Sequence, residues 1–282
     1  MIFIDASPIF HSSVNVSFNT DLNHEISLEF LRHLFLNQLR GYRKKFHNQY
    51  GELVICLDSK NGYWRKEKFP FYKSQRKEQR ENSIIDWKEM FKNFDIIINE
   101  LKEYFPYKVL DVDKAEADDI IAVLTSIIPG QHIIISNDKD FRQLHNENVS
   151  QFFPKSEKKE KEKNPDAYLF EQIFRGDKVD GIPNIKSPNN SFIDKIRQKQ
   201  CREDFILQCY KNRLYLNDIL TENEYKRYLE NSELIDLKKI PDTIKKNIVE
   251  TYNTTEKQGR NRLFEYFASR DLNQLINNIG DF

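Results

Sequence analysis

Nine acidic residues are spaced along this chain in a way that suits divalent-metal chemistry: Asp5, Asp58, Glu116, Asp118, Asp119, Asp138, Asp140, Asp177 and Asp180. Asp5, Asp58 and Asp138 each end, or closely follow, a short apolar run. Carboxylates crowded into one cleft repel each other unless protons or cations intervene. A donor set of oxygens alone, with no cysteine and no well-placed histidine, suits Mg²⁺ or Mn²⁺ rather than Zn²⁺. That many donors are enough for two ions, which together stabilise the attacking and leaving oxygens in phosphoryl transfer.

Each acid taken alone has a plainer reading. An Asp after a strand often caps the next helix, and Glu116 to Asp119 would complement a helix dipole. Caps need not fall at every strand end, however, so the set as a whole favours metal. An EF-hand starting at Asp138 fails, because its sixth position is Gln143 instead of Gly and its twelfth is Val149 instead of Glu.

The elements that must position these acids are legible as patterns. IFIDAS (2–7), LVICLD (53–58) and HIIISND (132–138) read as buried strands, and YKVLDV (107–112) as a further one. Helical periodicity covers 25–47, with Ile26, Phe30, Leu31, Leu34 and Phe35 on one stripe, then 84–104 and 117–128. This alternation predicts an α/β fold with right-handed crossovers and a mostly parallel sheet flanked by helices. Parallel strands share one direction, so Asp5, Asp58 and Asp138 should meet at the edge where such sheets hold ligands. The apolar-free run KSEKKEKEK (155–163) reads as a mobile loop. Beyond it helices dominate: 166–174 and, after a Gly- and Pro-marked turn, 190–212, 221–230, 241–253, 260–269 and 271–278. The expected organisation is an α/β domain over 1–180 and a helical domain over 181–282.

Charge totals balance at 44 basic and 44 acidic residues, but the distribution is uneven. Residues 60–80 hold eight bases and two acids, and a smaller basic excess runs from Lys186 to Arg202. After Asp58, the segment SKNGYWRKEKFPFYKSQRKEQREN interleaves its bases with Tyr63, Trp64, Phe69, Phe71 and Tyr72. That mixture suits single-stranded nucleic acid, where cations meet phosphates and rings stack on bases. The alternative is an amphipathic helix whose aromatics belong to the core. Next to a metal cleft the nucleic-acid reading gains, which makes Lys60, Arg65, Lys66, Lys68, Tyr72, Lys77 and Lys186 candidate contacts.

No stretch approaches the roughly 20 apolar residues of a membrane helix, and Asp5 interrupts the N-terminal apolar run before a signal sequence forms. Cys56, Cys201 and Cys209 are an odd set without Cys-x-x-Cys spacing, which supports neither a disulfide framework nor a zinc site. A reducing, cytoplasmic compartment is the expectation.

The segments NGYWRKEKFPFYKSQRK, ELKEYFPYKVLDVDKAEADDIIAVL, SNDKDFRQLH, RGDKVDG and LTENEYKRYLENSELIDLKKIPDTIKKNIVETYN, with Asp5 and Asp58, resemble the phage 5′ nucleases of the flap endonuclease family. They cover nearly the whole chain. The resemblance implies a metal-dependent 5′-3′ exonuclease and flap endonuclease that degrades RNA in RNA/DNA hybrids and DNA from 5′ ends. Such an enzyme removes lagging-strand RNA primers during phage replication in the bacterial cytoplasm. It further implies two Mg²⁺ ions, replaceable by Mn²⁺. One would be held around Asp5, Asp58, Glu116 and Asp118, the other near Asp138, Asp140 and Asp180, with Asp177 beside it and Asp119 in the same acidic string.

Glu116 and Asp118 can both serve only if they lie in the irregular first turn of their helix. Lys73 and Arg76 match the basic positions of a catalytic arch over 60–83, and share a face if that part is helical. The remaining arch lysines would attract phosphates. In one departure from the family pattern, Gly181-Ile-Pro-Asn-Ile-Lys-Ser-Pro188 replaces the Gly-Ile-Gly-x-Lys turn that grips duplex, so no K⁺ is assigned. Expected partners are flap, nicked or gapped DNA and RNA/DNA hybrids, with a single-strand binding protein or sliding clamp at family level; the chain is expected to be a monomer. A catalytically silent nucleic-acid clamp is disfavoured by the retained acids. A PIN-type ribonuclease is disfavoured by the long arch and the helical C-terminal part.

Overall fold

The computed structural model describes residues 1–20 and 27–282. Six strands, β1 (Ile2–Asp5), β2 (Leu53–Leu57), β3 (Lys108–Asp111), β4 (His132–Ile135), β5 (Val149–Phe153) and β6 (Lys158–Glu160), form one sheet in the order β3-β2-β1-β4-β5-β6. The first five are parallel. β1, β2, β4 and β5 are buried at every position, as parallel strands covered on both faces must be. Strand order reverses at β1, which opens a crevice at the C-terminal edge between β1, β2 and β4.

Two strands depart from the sequence expectation. β5 carries Ser150 and Gln151 among its apolar residues, which hid it from a search for apolar runs. The charged run 155–163 is not a free loop throughout: Lys158, Lys159 and Glu160 pair antiparallel with Phe153, Phe152 and Gln151. An edge strand needs backbone partners on one side only, and charged side chains there discourage further pairing.

The helices are α1 (Ala6–Thr20), α2 (Leu28–Tyr50), α3 (Trp64–Lys68), α4 (Gln75–Glu81), α5 (Trp87–Tyr104), α6 (Ala117–Ile127), α7 (Pro165–Arg175), α8 (Glu203–Lys211), α9 (Leu216–Ile219), α10 (Glu222–Ile235), α11 (Asp242–Thr254), α12 (Leu263–Ser269) and α13 (Asn273–Ile276). Ser27 caps α2 by accepting from the Phe30 N–H. The expected start of that helix at residues 25 and 26 lies outside the described residues. Only 203–211 of the expected helix 190–212 forms. Upstream, the Asn184 side chain donates to the Lys199 carbonyl (2.7 Å), the Lys199 N–H donates to Ser187 Oγ (3.1 Å), and Lys195 has φ 54°. These local bonds compete with a helical ladder.

On one face of the sheet, Leu31, Phe35 and Leu39 of α2 and Ile97 and Leu101 of α5 pack with Leu263, Tyr266 and Phe267 of α12 and with Phe282. A buried ion pair reinforces this layer: Arg32 donates two bonds to Glu100 (2.7 and 3.0 Å), which also accepts from the Tyr266 hydroxyl (2.7 Å). The other face is covered by α6 and by Ile244 and Ile248 of α11. A smaller core gathers Phe170, Phe174, Ile206, Cys209, Leu216 and Leu220. Packing therefore does not divide at residue 180, because the last helices return to both faces of the sheet. Among the described residues, no helix is long and apolar enough to cross a membrane.

Candidate active site

Asp5 ends β1 and is buried, accepting from the Ser136 hydroxyl (2.7 Å). Asp58, one residue past β2, accepts from the Ser7 hydroxyl (2.9 Å) and the Ala117 N–H (3.1 Å), so it tethers the start of α6 to the strand ends. Glu116 is the extended N-cap residue of α6, with Asp118 in the first turn; both acids thus lie in the irregular turn that the sequence required. Burial, then Asp58, with Asp138 adding, pushes the Asp5 carboxyl well above the usual range. Asp118 is raised by burial, then by Asp138 and Asp5. Asp5 thus lies near Asp58 and Asp138, and Asp118 near Asp138 and Asp5, at one locus.

A second group adjoins it. Asp140 is raised well above its ordinary value by burial, then by Asp138, Asp177 and Asp180. Asp177 is raised by burial, then by Asp180. The Asp177 carboxylate accepts the N–H groups of Val179 (2.6 Å) and Asp180 (3.0 Å), folding the turn so that both acids stay near the cleft. Gly176 makes that turn possible: its φ is 67°, and a Cβ there would lie 2.3 Å from the Ile182 carbonyl oxygen.

The basic segment closes over these acids. The Tyr72 hydroxyl lies 2.9 Å from Glu116 and 2.8 Å from Asp180. Lys73 ion-pairs with Glu116 and sits 3.6 Å from Asp180, while Arg76 donates to Asp180 at 2.9 Å. Burial alone would discharge Lys73, but Glu116 and then Asp180 outweigh it and hold its pKa above the ordinary lysine value. Against the effect of burial, Lys73 and Arg65 in turn hold the Glu116 carboxyl below the usual range. The convergence of Lys73 and Arg76 is not the shared helical face expected from their spacing. Lys73 precedes α4 with φ 54°, and its N–H donates to the Asp180 carbonyl (2.8 Å).

Three expectations for this region need correction. Arg65 is only 3% exposed, so it does not face nucleic acid. Its Nε donates to the Leu234 carbonyl (2.8 Å), and one terminal nitrogen donates to Glu116 (2.8 Å) and Asp119 (3.0 Å). Asp119 is fully buried and accepts from the Trp64 indole (2.9 Å) and the Glu116 N–H (3.0 Å), which makes it a capping and pairing residue instead of a free donor. Tyr72 is buried as well. With Phe69 it packs against Ile173, Ile182, Leu234 and Ile235, and Trp64 joins the core beside α6. For these aromatics the core reading holds, because the hollow between α6, α7 and α10 has to be filled.

The remaining bases are less tightly held. Lys60 pairs with Asp95 (2.6 Å), Lys68 with Glu233 (3.4 Å) and Lys77 with Glu81 (3.9 Å), and Lys66 is exposed. The Lys186 ammonium sits over the Phe205 ring at 3.8 Å. Sequence reasoning missed Ser7, Ser136 and Gln172, which hydrogen-bond Asp58, Asp5 and Asp140. Ser7 and Ser136 each sit two residues from a strand-end acid, a signal visible only once the strands are aligned.

Among the described residues, no three His, Cys, Asp or Glu side chains are drawn together closely enough, as they stand, to hold an ion. Glu116 and Asp180 instead engage the cations of the arch. The chemistry of the donors still fits a hard divalent cation: they are all carboxylates, and several are raised by burial and then by mutual repulsion that a cation would relieve.

A parallel sheet with carboxylates at its switch-point edge and a basic arch above them defines the 5′ nuclease class. A family model described as the 5′-3′ exonuclease, N-terminal resolvase-like domain, matches residues 3–173, and this chain belongs to that family. A second model, described as the C-terminal part of T4 RNase H, matches residues 164–282. Ribonuclease H of Enterobacteria phage T4 is 37% identical over 290 residues, covering 99% of this chain and 94% of the relative. DNA polymerase I of Helicobacter pylori is 33% identical over 125 residues, 43% of this chain but 13% of the polymerase. In fold, the chain is similar to the bacteriophage T5 D15 protein co-crystallized with metal ions, with a TM-score of 0.61 at 15% identity over 89% of this chain and 98% of that one. The T5 D15 flap endonuclease in complex with DNA and metal ions gives the same TM-score and identity over 90% and 99%.

Proposed function

We propose that this chain is a metal-dependent 5′ nuclease that hydrolyses RNA in RNA/DNA hybrids and DNA from 5′ ends and at flaps, removing lagging-strand RNA primers in phage replication. The observation that carries the reading is the pair of carboxylate groups at the sheet edge with Lys73 and Arg76 directly against them. Asp5, Asp58, Glu116 and Asp118 would hold one Mg²⁺, and Asp138, Asp140 and Asp180 the second with Asp177 beside it, Mn²⁺ being able to substitute. Such ions supply Lewis-acid charge and an activated water nucleophile at neutral pH.

The chain's own residues supply positioning. Ser136 and Ser7 each engage one oxygen of Asp5 and Asp58, fixing the orientation of both carboxylates. Lys73 by leaving Glu116, and Arg76 by leaving Asp180, can meet a scissile phosphate, which places positive charge where the transition state develops negative charge. Lys60, Lys66, Lys68, Lys77 and Lys186 provide diffuse phosphate attraction. Residues 1–180 would carry the chemistry and 181–282 would brace it and meet duplex. The protein would act as a monomer in the host cytoplasm, beside a single-strand binding protein or sliding clamp.

The test is incubation of a 5′-labelled RNA/DNA hybrid and a 5′-flap duplex with protein in Mg²⁺ or EDTA. Products from the 5′ side in Mg²⁺ alone are expected. Binding of both substrates without cleavage in Mg²⁺ or Mn²⁺ would overturn the reading and leave a silent clamp.

A further inference from the structure

Three helices each place two residues, four apart, in rows beside the carboxylates. On α1, Ser7 bonds Asp58, and His11 lies one turn further on. On α4, Arg76 bonds Asp180, and Arg80 follows one turn later with its Nε on the Arg76 carbonyl (3.1 Å). On α5, Trp87 and Phe91 complete the third row. The His11 and Trp87 ring centroids are 5.0 Å apart at 36°, those of Trp87 and Phe91 6.2 Å apart at 37°, and the Arg80 guanidinium stands 5.6 Å from the Phe91 centroid. His11 feels the charges of Arg76, Asp58 and Arg80, which places this aromatic row beside the cleft.

One feature sets the row apart from ordinary helix packing. Phe91 is 38% exposed although it lies against Trp87 and beneath a cation. Trp87 backs it and is itself packed against the core under α2 and α5. An unpaired nucleobase suits the exposed ring: its face stacks on an aromatic ring and its phosphates pair with arginines.

We infer that Trp87, Phe91 and Arg80 form a stacking platform for an unpaired base of the 5′ strand, next to the cleft where its backbone is cut. The inference rests on the 5′ nuclease reading and adds to it a subsite for unpaired substrate. Arg76 and Arg80 line its phosphate side, and α5 its base side.

Trp87 is a built-in reporter, since Trp64 is buried and hydrogen-bonded elsewhere. Protein in EDTA is titrated with a 5′-flap duplex, the same flap made abasic in its first nucleotides, and a nicked duplex without a flap. The intact flap should quench tryptophan emission and bind about tenfold more tightly than the abasic flap, the worth of a base–aromatic stack. Trp87→Phe should remove the quench. Phe91→Leu should weaken the intact flap about tenfold and leave the nicked and abasic substrates within about twofold. Equal affinity and quench for intact and abasic flaps, measured on the unsubstituted protein, would overturn the platform whether or not the variants fold. Failure of the nuclease reading shows separately, as absence of cleavage of every substrate in Mg²⁺.

Discussion

Replacing Arg65 by methionine should remove a large part of the molecule's stability while keeping the aliphatic packing of the stem. The Arg65 guanidinium touches two carboxylates, Glu116 and Asp119, that are 1% and 0% exposed, and it also satisfies the Leu234 carbonyl. Removing one member of a buried ion pair costs about 3–5 kcal/mol, because the remaining charge stays in a poor dielectric. Tyr72 and Lys73 still serve Glu116, and Trp64 still serves Asp119, which places the expected loss within that span instead of above it. Domains of this kind have about 5–15 kcal/mol in total, so the variant should unfold at markedly lower urea. Asp119→Asn deletes the charge and keeps an acceptor for the Trp64 and Glu116 N–H groups. The double variant should therefore be more stable than the sum of the single losses by about 1–3 kcal/mol. A loss below about 1 kcal/mol for Arg65→Met, or strict additivity in the cycle, would refute the buried network. Normal stability with weakened DNA affinity would return Arg65 to the nucleic-acid surface.

Asp118→Asn and Asp138→Asn should each abolish cleavage with DNA binding near normal, since loss of a ligand removes transition-state stabilisation more than phosphate attraction. In metal-free buffer Asp118→Asn should also raise the melting temperature, because its carboxylate is strained by burial and by Asp138 and Asp5; turnover retained in both variants would refute the site. Lys73→Ala should lower the single-turnover rate at least about tenfold, or about 1.4 kcal/mol, with the dissociation constant nearly unchanged; a change in affinity alone would make Lys73 an ordinary phosphate contact. His145, buried with Nδ1 accepting from the Glu162 N–H, has its pKa lowered by burial from 6.5 to about 4. A folded value below the unfolded one adds stability above pH 6.5 that is lost as pH falls toward 4, by up to about 3 kcal/mol. His145→Gln should flatten urea-derived stability over that window, and a curve parallel to the parent would contradict this.

The parts of the site carried by short-range pattern were legible in the sequence. A strand in a parallel sheet is a continuous apolar run, so the positions of Asp5, Asp58 and Asp138 at one edge followed from three such runs and a shared direction. Glu116 and Asp119 were ambiguous, because a carboxylate that binds metal and one that caps a helix occupy the same first turn. Only the contacts of Arg65 and Trp64 with Asp119 separate the two roles. The aromatics of the arch misled for a related reason: base stacking and core packing demand the same residues, and burial decides between them. Lys73 owes its place to a left-handed backbone and to a turn more than 100 residues away, neither of which leaves a periodic signature. The charged strand β6 exists only because β5 offers it an edge.

The closing layer over α2 and α5 also sets an order of events during synthesis. The parallel strands are complete at Phe153, but Leu263, Tyr266, Phe267 and Phe282, which seal one face, come much later. At about 5–20 residues per second, the roughly 110 residues between β5 and α12 take about 5–20 s to emerge. During that interval the sheet has its future catalytic edge but lacks the cover over Phe105 and Leu101. The nascent chain thus presents an oily face to chaperones and to its neighbours on the same messenger until α12 arrives.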